Sequence, residues 1–164
     1  MHKINLKATN KNKATITTLL IFLFSFNTIL FPLMLMYLIP QSGLGHYFLD
    51  HVDYAFVSVP LLIYFIVTGV YYYKIKIDPY VIDITSYRTV YGLFKKKDYV
   101  DIAHTMLSDY SFFDRPFTLN KTLMLKIETE SGKKIAKRFN LTLISEKEIA
   151  RISSVLDRII VNNN

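Results

Sequence analysis

Two long uncharged runs near the start decide most of what this chain can become. Ala14 to Ile39 and Tyr54 to Tyr73, 26 and 20 residues, contain no Asp, Glu, Lys or Arg. A helix rising ~1.5 Å per residue needs about 20 mainly apolar residues to cross the ~30 Å hydrocarbon core of a bilayer. Both runs reach that length. The connection from Pro40 to Asp53 contains Gly43 and Gly45 and is short enough to make the two helices antiparallel neighbours. The first run is also preceded by lysines, as a cleaved signal peptide would be. Its apolar stretch exceeds the roughly 7–15 residues of a signal core, and no small-x-small cleavage site follows Ile39.

Orientation follows from lysine placement, because Lys and Arg are retained on the cytoplasmic side during insertion. Lys3, Lys7, Lys11 and Lys13 precede the first run, the connection carries no basic residue, and Lys74 and Lys76 follow the second. Both termini are therefore expected in the cytoplasm. Tyr37, Tyr47 and Tyr54 on one side and Tyr71, Tyr72 and Tyr73 on the other suit the two interfaces, where a ring is half buried and its hydroxyl wet. Pro32 and Pro60 each remove one intrahelical hydrogen bond and are expected to kink their helices. Asn27 is the candidate for an inter-helix contact, since an amide in hydrocarbon seeks a partner across the interface.

Beyond Lys76 the pattern changes to short alternating segments, the signature of strands with one buried face. Tyr80–Thr85, Thr89–Phe94 and Tyr99–Leu107, the last extending as far as Phe112, read as strands. Leu123–Thr129 and Lys134–Phe139 flank Glu130-Ser131-Gly132-Lys133 as a hairpin. Ile149, Ile152, Leu156, Ile159 and Ile160 recur at helical spacing, and Ser145 with Glu148 forms a capping box at that helix's start. The expected organisation is a basic cytoplasmic N-terminus over 1–13, spanning helices over 14–39 and 54–73, a short extracytoplasmic loop over 40–53, and a cytoplasmic α+β domain over 74–164. That domain would hold six or seven strands and one amphipathic C-terminal helix.

Two spans, then Ile82-Asp83-Ile84-Thr85, Tyr91-Gly92-Leu93-Phe94-Lys95-Lys96, Ile102 and the Glu130-Ser131-Gly132-Lys133-Lys134 turn together resemble the bacterial pleckstrin-homology-like domains of small membrane proteins. The resemblance covers about Asp78 to Ile160. It implies a partly open β-barrel or sandwich plugged by the C-terminal helix and used for binding and oligomerisation. Ser108 to Lys121, with Phe112, Phe113, Arg115 and Pro116, is longer and more aromatic than the compact turn expected there.

With no cysteine, the chain has neither disulfides nor a thiol nucleophile. The net charge of +7 is concentrated in clusters. Arg88 with Lys95, Lys96 and Lys97, and Lys133, Lys134, Lys137 and Arg138, are candidates for anionic headgroups or a protein partner, each charge being worth ~1 kcal/mol near an anionic surface. Solvated strand ends and hairpin tips that also enforce topology explain them too, and that reading is the favoured one. Asp98, Asp101, Glu128 and Glu130 interrupt the positive field, which argues against nucleic acid. Phe112, Phe113 and Phe117 need cover from a membrane, the helix or a partner.

His46, Asp50, His51 and Asp53 in the connection match no established zinc spacing, and no metal or other cofactor is expected. Asp109 and Asp114 near His104 are scattered single residues, and no spacing demands a catalytic pocket. The expectation is a non-enzymatic, membrane-anchored interaction module binding a protein partner, itself or inner-leaflet lipid. Self-protection against membrane-active peptides and service as an accessory subunit of a transporter or secretion complex are the alternatives.

Overall fold

The computed structural model describes residues 5–38, 43, 46, 50, 53–89, 98–129 and 131–163. They form two units: Ile16–Gly69, and Met1–Thr15 together with Val70–Asn164.

In the first unit, α1 (Lys11–Ser25, begun in the other unit) runs through a π-helical turn, Phe26–Leu30, into α2 (Phe31–Leu38). Pro32 has no N–H to give the carbonyl of Thr28, and the wider π turn stands immediately before it. Among the described residues one helix, Lys11–Met34, is long and apolar enough to cross a membrane. Leu19, Leu20, Phe22 and Leu23 are all exposed, so apolar side chains point outward on more than one face. Ser25, Asn27 and Thr28 donate to the carbonyls of Ile21, Leu23 and Phe24, four residues back, at 2.7–2.8 Å.

The second run forms α3, Asp53–Thr68, a helix of 16 residues with Pro60 inside it. It stops well short of Tyr73. Gly69 takes φ of 71°, a left-handed value that glycine adopts without penalty, and its N–H closes on the carbonyl of Phe65 at 3.0 Å. Tyr71, Tyr72 and Tyr73 consequently leave the helix and begin a strand, which corrects the expected helix over 54–73 at its C-terminal end.

The other unit is an α+β structure with, among the described residues, seven strands in two antiparallel sheets that do not close. Sheet one has the order β1 (Leu6–Thr9), β2 (Tyr71–Ile77), β3 (Val81–Arg88), β4 (Asp98–Ala103). Sheet two has the order β5 (Leu107–Asp114), β6 (Asn120–Glu128), β7 (Lys134–Thr142). The expected single strand from Tyr99 is two strands. A 3₁₀ turn, His104–Met106, carries the chain from one sheet to the other between β4 and β5. Most of the expected strand Thr89–Phe94, like Lys95, Lys96 and Lys97, lies outside the described residues, and Thr89 itself is in a turn.

The core takes every second residue of the strands: Tyr73, Ile75 and Ile77 from β2, Ile82 and Ile84 from β3, Leu123, Leu125 and Ile127 from β6. The C-terminal helix α4, Glu146–Asn163, adds Ile152, Leu156 and Ile159. Its start is the capping box read from the sequence: Glu148 N–H donates to Ser145 Oγ at 3.3 Å, and Ser145 N–H donates back to the Glu148 carboxylate at 2.9 Å. Tyr110 on β5 holds it from the side, donating to Asp157 at 2.7 Å.

The first strand is the addition the sequence did not announce. Leu6 to Thr9 pair in antiparallel register with Ile77 to Lys74, so residues on either side of the 16–69 segment share one sheet.

Candidate functional site

Where the chain leaves the β unit at α1 and returns at Val70, buried polar groups tie the ends together. Asn10, 2% exposed, directly follows β1, and its carbonyl accepts the first helical bond of α1, from Ala14 N–H at 2.8 Å. Its amide nitrogen donates to the carbonyls of Tyr71 (2.8 Å) and Thr142 (2.9 Å), and its oxygen accepts from Tyr73 N–H at 2.8 Å. Thr142 Oγ1, fully buried, accepts from Tyr71 N–H at 2.7 Å and donates to Asn120. Thr89 closes the same end, bonding the carbonyl of Val70 through both its N–H and its hydroxyl. Asn10 thus joins β1, β2 and β7, and a buried amide with three bonds is the arrangement that low dielectric rewards and that a missing partner would penalise.

The same end carries the aromatic segment between β5 and β6. Ser108–Lys121, longer and more aromatic than the compact turn expected there, forms the tip of a hairpin with Asp114 opposite Lys121. Phe112 is half buried, packed on the core with its ring edge-on to Tyr110 at 6.1 Å. Phe113 alternates to the outside. The turn is Arg115-Pro116-Phe117-Thr118, closed by Thr118 N–H to the carbonyl of Arg115 at 3.3 Å. Thr118 Oγ1 braces it, bonding the carbonyls of Arg115 at 3.0 Å and Asn120 at 3.2 Å. Lys121 pairs with both Asp114 and Glu146, and Lys13 lies 3.9 Å from Glu148, so basic and acidic groups alternate around this end.

The basic candidates are distributed differently. Arg88 is half buried at the end of β3, opposite Tyr71. Lys133, Lys134, Lys137 and Arg138 are exposed along β7, an edge strand, in a stretch that exposes both of its faces. Lys134 pairs with Glu128 at 3.8 Å. Because Thr142 ends β7 beside Asn10 and Lys134 begins it, the two are separated by about 26 Å at ~3.3 Å per strand residue. That separation exceeds the ~8 Å over which exposed charges act at physiological salt. Lysines on an edge also keep that edge from pairing with another strand.

Asn27 commits its amide donor to its own helix at Leu23. Asp109 is bonded to Lys126 at 2.7 Å, and that contact holds its carboxyl below the usual range. His104 is half buried in the 3₁₀ turn and desolvation pushes its pKa down. Of the four polar residues in the connection, His51 lies outside the described residues, and among the described residues no three His, Asp or Glu side chains converge on a metal position.

Asn10 is the residue of this end that the sequence hid, whereas Phe117 was visible as one of three aromatics in need of cover. An Asn immediately before an apolar run is a helix-start signal. Nothing local tells that its side chain reaches residues more than sixty positions away. Comparison with family models, with characterised proteins and with solved structures yields no match to this chain.

Proposed function

We propose that this protein is a membrane-anchored interaction module. On this reading the segment 16–69 crosses the bilayer twice, and the β unit on the cytoplasmic side binds a protein partner or another copy of itself. The observation that carries it is the β1–β2 register. With Leu6–Thr9 and Tyr71–Ile77 in one sheet, both ends of the apolar segment are on one side of any membrane it enters, and a chain that goes in must come back. An even number of crossings and a segment of this length favour two. α3 needs only a few further residues on its N-terminal side to reach a spanning length. The lysines flanking the segment favour the cytoplasm for the shared side.

Four plus three strands followed by one helix also support the pleckstrin-homology-like resemblance, which implies binding and not catalysis. The partner surface favoured is the basic stretch Lys133–Arg138, which stands at the far end of β7 from the chain's exit and suits an acidic protein surface better than the headgroups beneath.

The chain's lack of cysteine makes the test direct. Single substitutions Lys7→Cys, Ser42→Cys and Ser131→Cys are labelled in intact cells with a membrane-impermeant maleimide. Ser42→Cys is expected to react from outside, and the other two only after permeabilisation. Labelling of Lys7→Cys and Ser131→Cys from opposite sides would sink the double crossing. A photoreactive residue at Lys137 is expected to give a discrete adduct that disappears when Lys133, Lys134 and Arg138 become Gln; an unchanged adduct would remove the basic stretch from the interface.

A further inference from the structure

The hairpin turn between β5 and β6 is built against two ordinary preferences at once. Phe117 occupies the second central position of the turn behind Pro116, where the backbone takes a φ of 58°. That conformation belongs to glycine or asparagine, and a bulky side chain there is strained. The same residue is 94% exposed, the most exposed large apolar side chain among the described residues, and Phe113 and Leu119 beside it are 47% and 45% exposed. Strain kept at an apolar, outward-pointing residue is the pattern of a contact surface and not of a core.

The position of the turn says what it contacts. Hydrogen bonds run without a break from Thr118 to Asn120, from Asn120 to Thr142, from Thr142 to Asn10, and from Asn10 into the first turn of α1. Leu143 N–H, donating to the carbonyl of Leu119 at 3.0 Å, ties the turn to the approach of α4 as well. The turn therefore projects from the end of the β unit at which the chain passes into the apolar segment. Arg115 on the turn and Lys11, Lys13 and Lys147 at the starts of α1 and α4 are exposed, cations that alternate with Asp114 and Glu146 around the apolar side chains. Aromatic rings flanked by Arg and Lys are suited to the boundary between headgroups and acyl chains.

We propose that the Arg115–Leu119 turn is a second membrane contact, in which Phe117, with Phe113 and Leu119 behind it, inserts into the headgroup–acyl boundary of the bilayer that anchors the chain. The turn fixes the orientation of the β unit on the surface, as a third point beside the two chain connections, and leaves the basic stretch of β7 turned toward the aqueous side. This inference rests on the membrane-anchor reading, and its test separates the two.

The chain has no tryptophan, so one introduced residue reports alone. The full chain is reconstituted in phosphatidylcholine–phosphatidylglycerol vesicles with lipids brominated high on the acyl chain, as three variants. Phe22→Trp lies in α1, Phe117→Trp at the turn, and Tyr80→Trp in the β2–β3 connection at the opposite end of the β unit, where Tyr80 is 76% exposed. Expected are quenching of several-fold for Phe22→Trp and Phe117→Trp, a blue-shifted emission for both, and neither effect for Tyr80→Trp. Quenching of Phe22→Trp without Phe117→Trp overturns the turn contact and leaves the anchor standing. An unquenched but blue-shifted Phe117→Trp also overturns it, by showing protein cover instead of lipid. An unquenched Phe22→Trp overturns the anchor and the turn contact together. Circular dichroism of the Phe117→Trp variant matching the parent establishes that the reporter sits on the native fold.

Discussion

Phe139 and Phe22 stand for opposite uses of apolar side chains in the two units. Phe139 in β7 is fully buried, while Phe22 in α1 is 63% exposed. The β unit hides its large aliphatic side chains between two sheets and a helix, and the 16–69 segment displays them outward. On the membrane-anchor reading the apolar surface of that segment is matched to an apolar surrounding medium, whereas the β unit is stabilised by the removal of its apolar surface from water.

The contrast is broken most sharply by truncating each residue in turn. Phe139→Ala is expected to destabilise the β unit by about 4 kcal/mol, and Phe22→Ala to change unfolding in detergent by under about 0.5 kcal/mol, since only the first leaves a cavity. Chemical denaturation of the two variants decides this, and equal losses would mean that α1 is packed inside the protein. Next comes the joint between the regions: Asn10→Ala orphans Tyr73 N–H and two carbonyl bonds and is expected to lose about 3 kcal/mol, with the N-terminal strand becoming sensitive to protease. Wild-type protease resistance in that variant would remove Asn10 from its proposed role.

Smaller and opposite in sign, Phe117→Gly is expected to raise the stability of the β unit by about 1 kcal/mol, because glycine relieves the left-handed conformation. A loss on the same denaturation curve would show that Phe117 is held by packing after all. The smallest effect is from pH. Burial lowers the pKa of His104 in the folded chain below its unfolded value near 6.5, so between those two values the unfolded state binds more protons. Stability should therefore fall as the pH drops through and below about 6.5, and His104→Gln should flatten that part of the curve; an unaltered slope would exonerate His104.

Local chemistry was what the sequence displayed. The capping box at Ser145 and Glu148, the helical stripe from Ile149 to Ile160 and the hairpin around Gly132 rest on neighbours within a few residues, and all are present. The stop at Gly69 had a local sign as well, a glycine closing an apolar run, but the continuing Val70-Tyr71-Tyr72-Tyr73 looked equally apolar and extended the helix too far. β1 was illegible for a different reason. Four residues alternating Leu6, Lys7, Ala8, Thr9 are too few to stand out from a basic tail, and what makes them a strand is β2, far along the chain. The aromatic turn was visible as composition only, because the strain that distinguishes Phe117 from Phe112 is a property of backbone geometry.

The β1–β2 pairing also imposes an order on biosynthesis. Thr9 and Tyr73, bonded in the finished protein, are 64 positions apart, and the residues between them include the entire apolar segment. If the segment is a membrane anchor, as proposed, β1 must wait, unpaired, while that segment is handed to the insertion machinery and completed. Should the segment settle with a single crossing, Leu6–Thr9 would be marooned across the bilayer from β2, the strand it pairs with. β2 would then keep a bare edge, and the pocket of Leu6 would stand open to water. A misinserted molecule would thus carry its own mark of failure, readable by any protease that seeks unpaired strands.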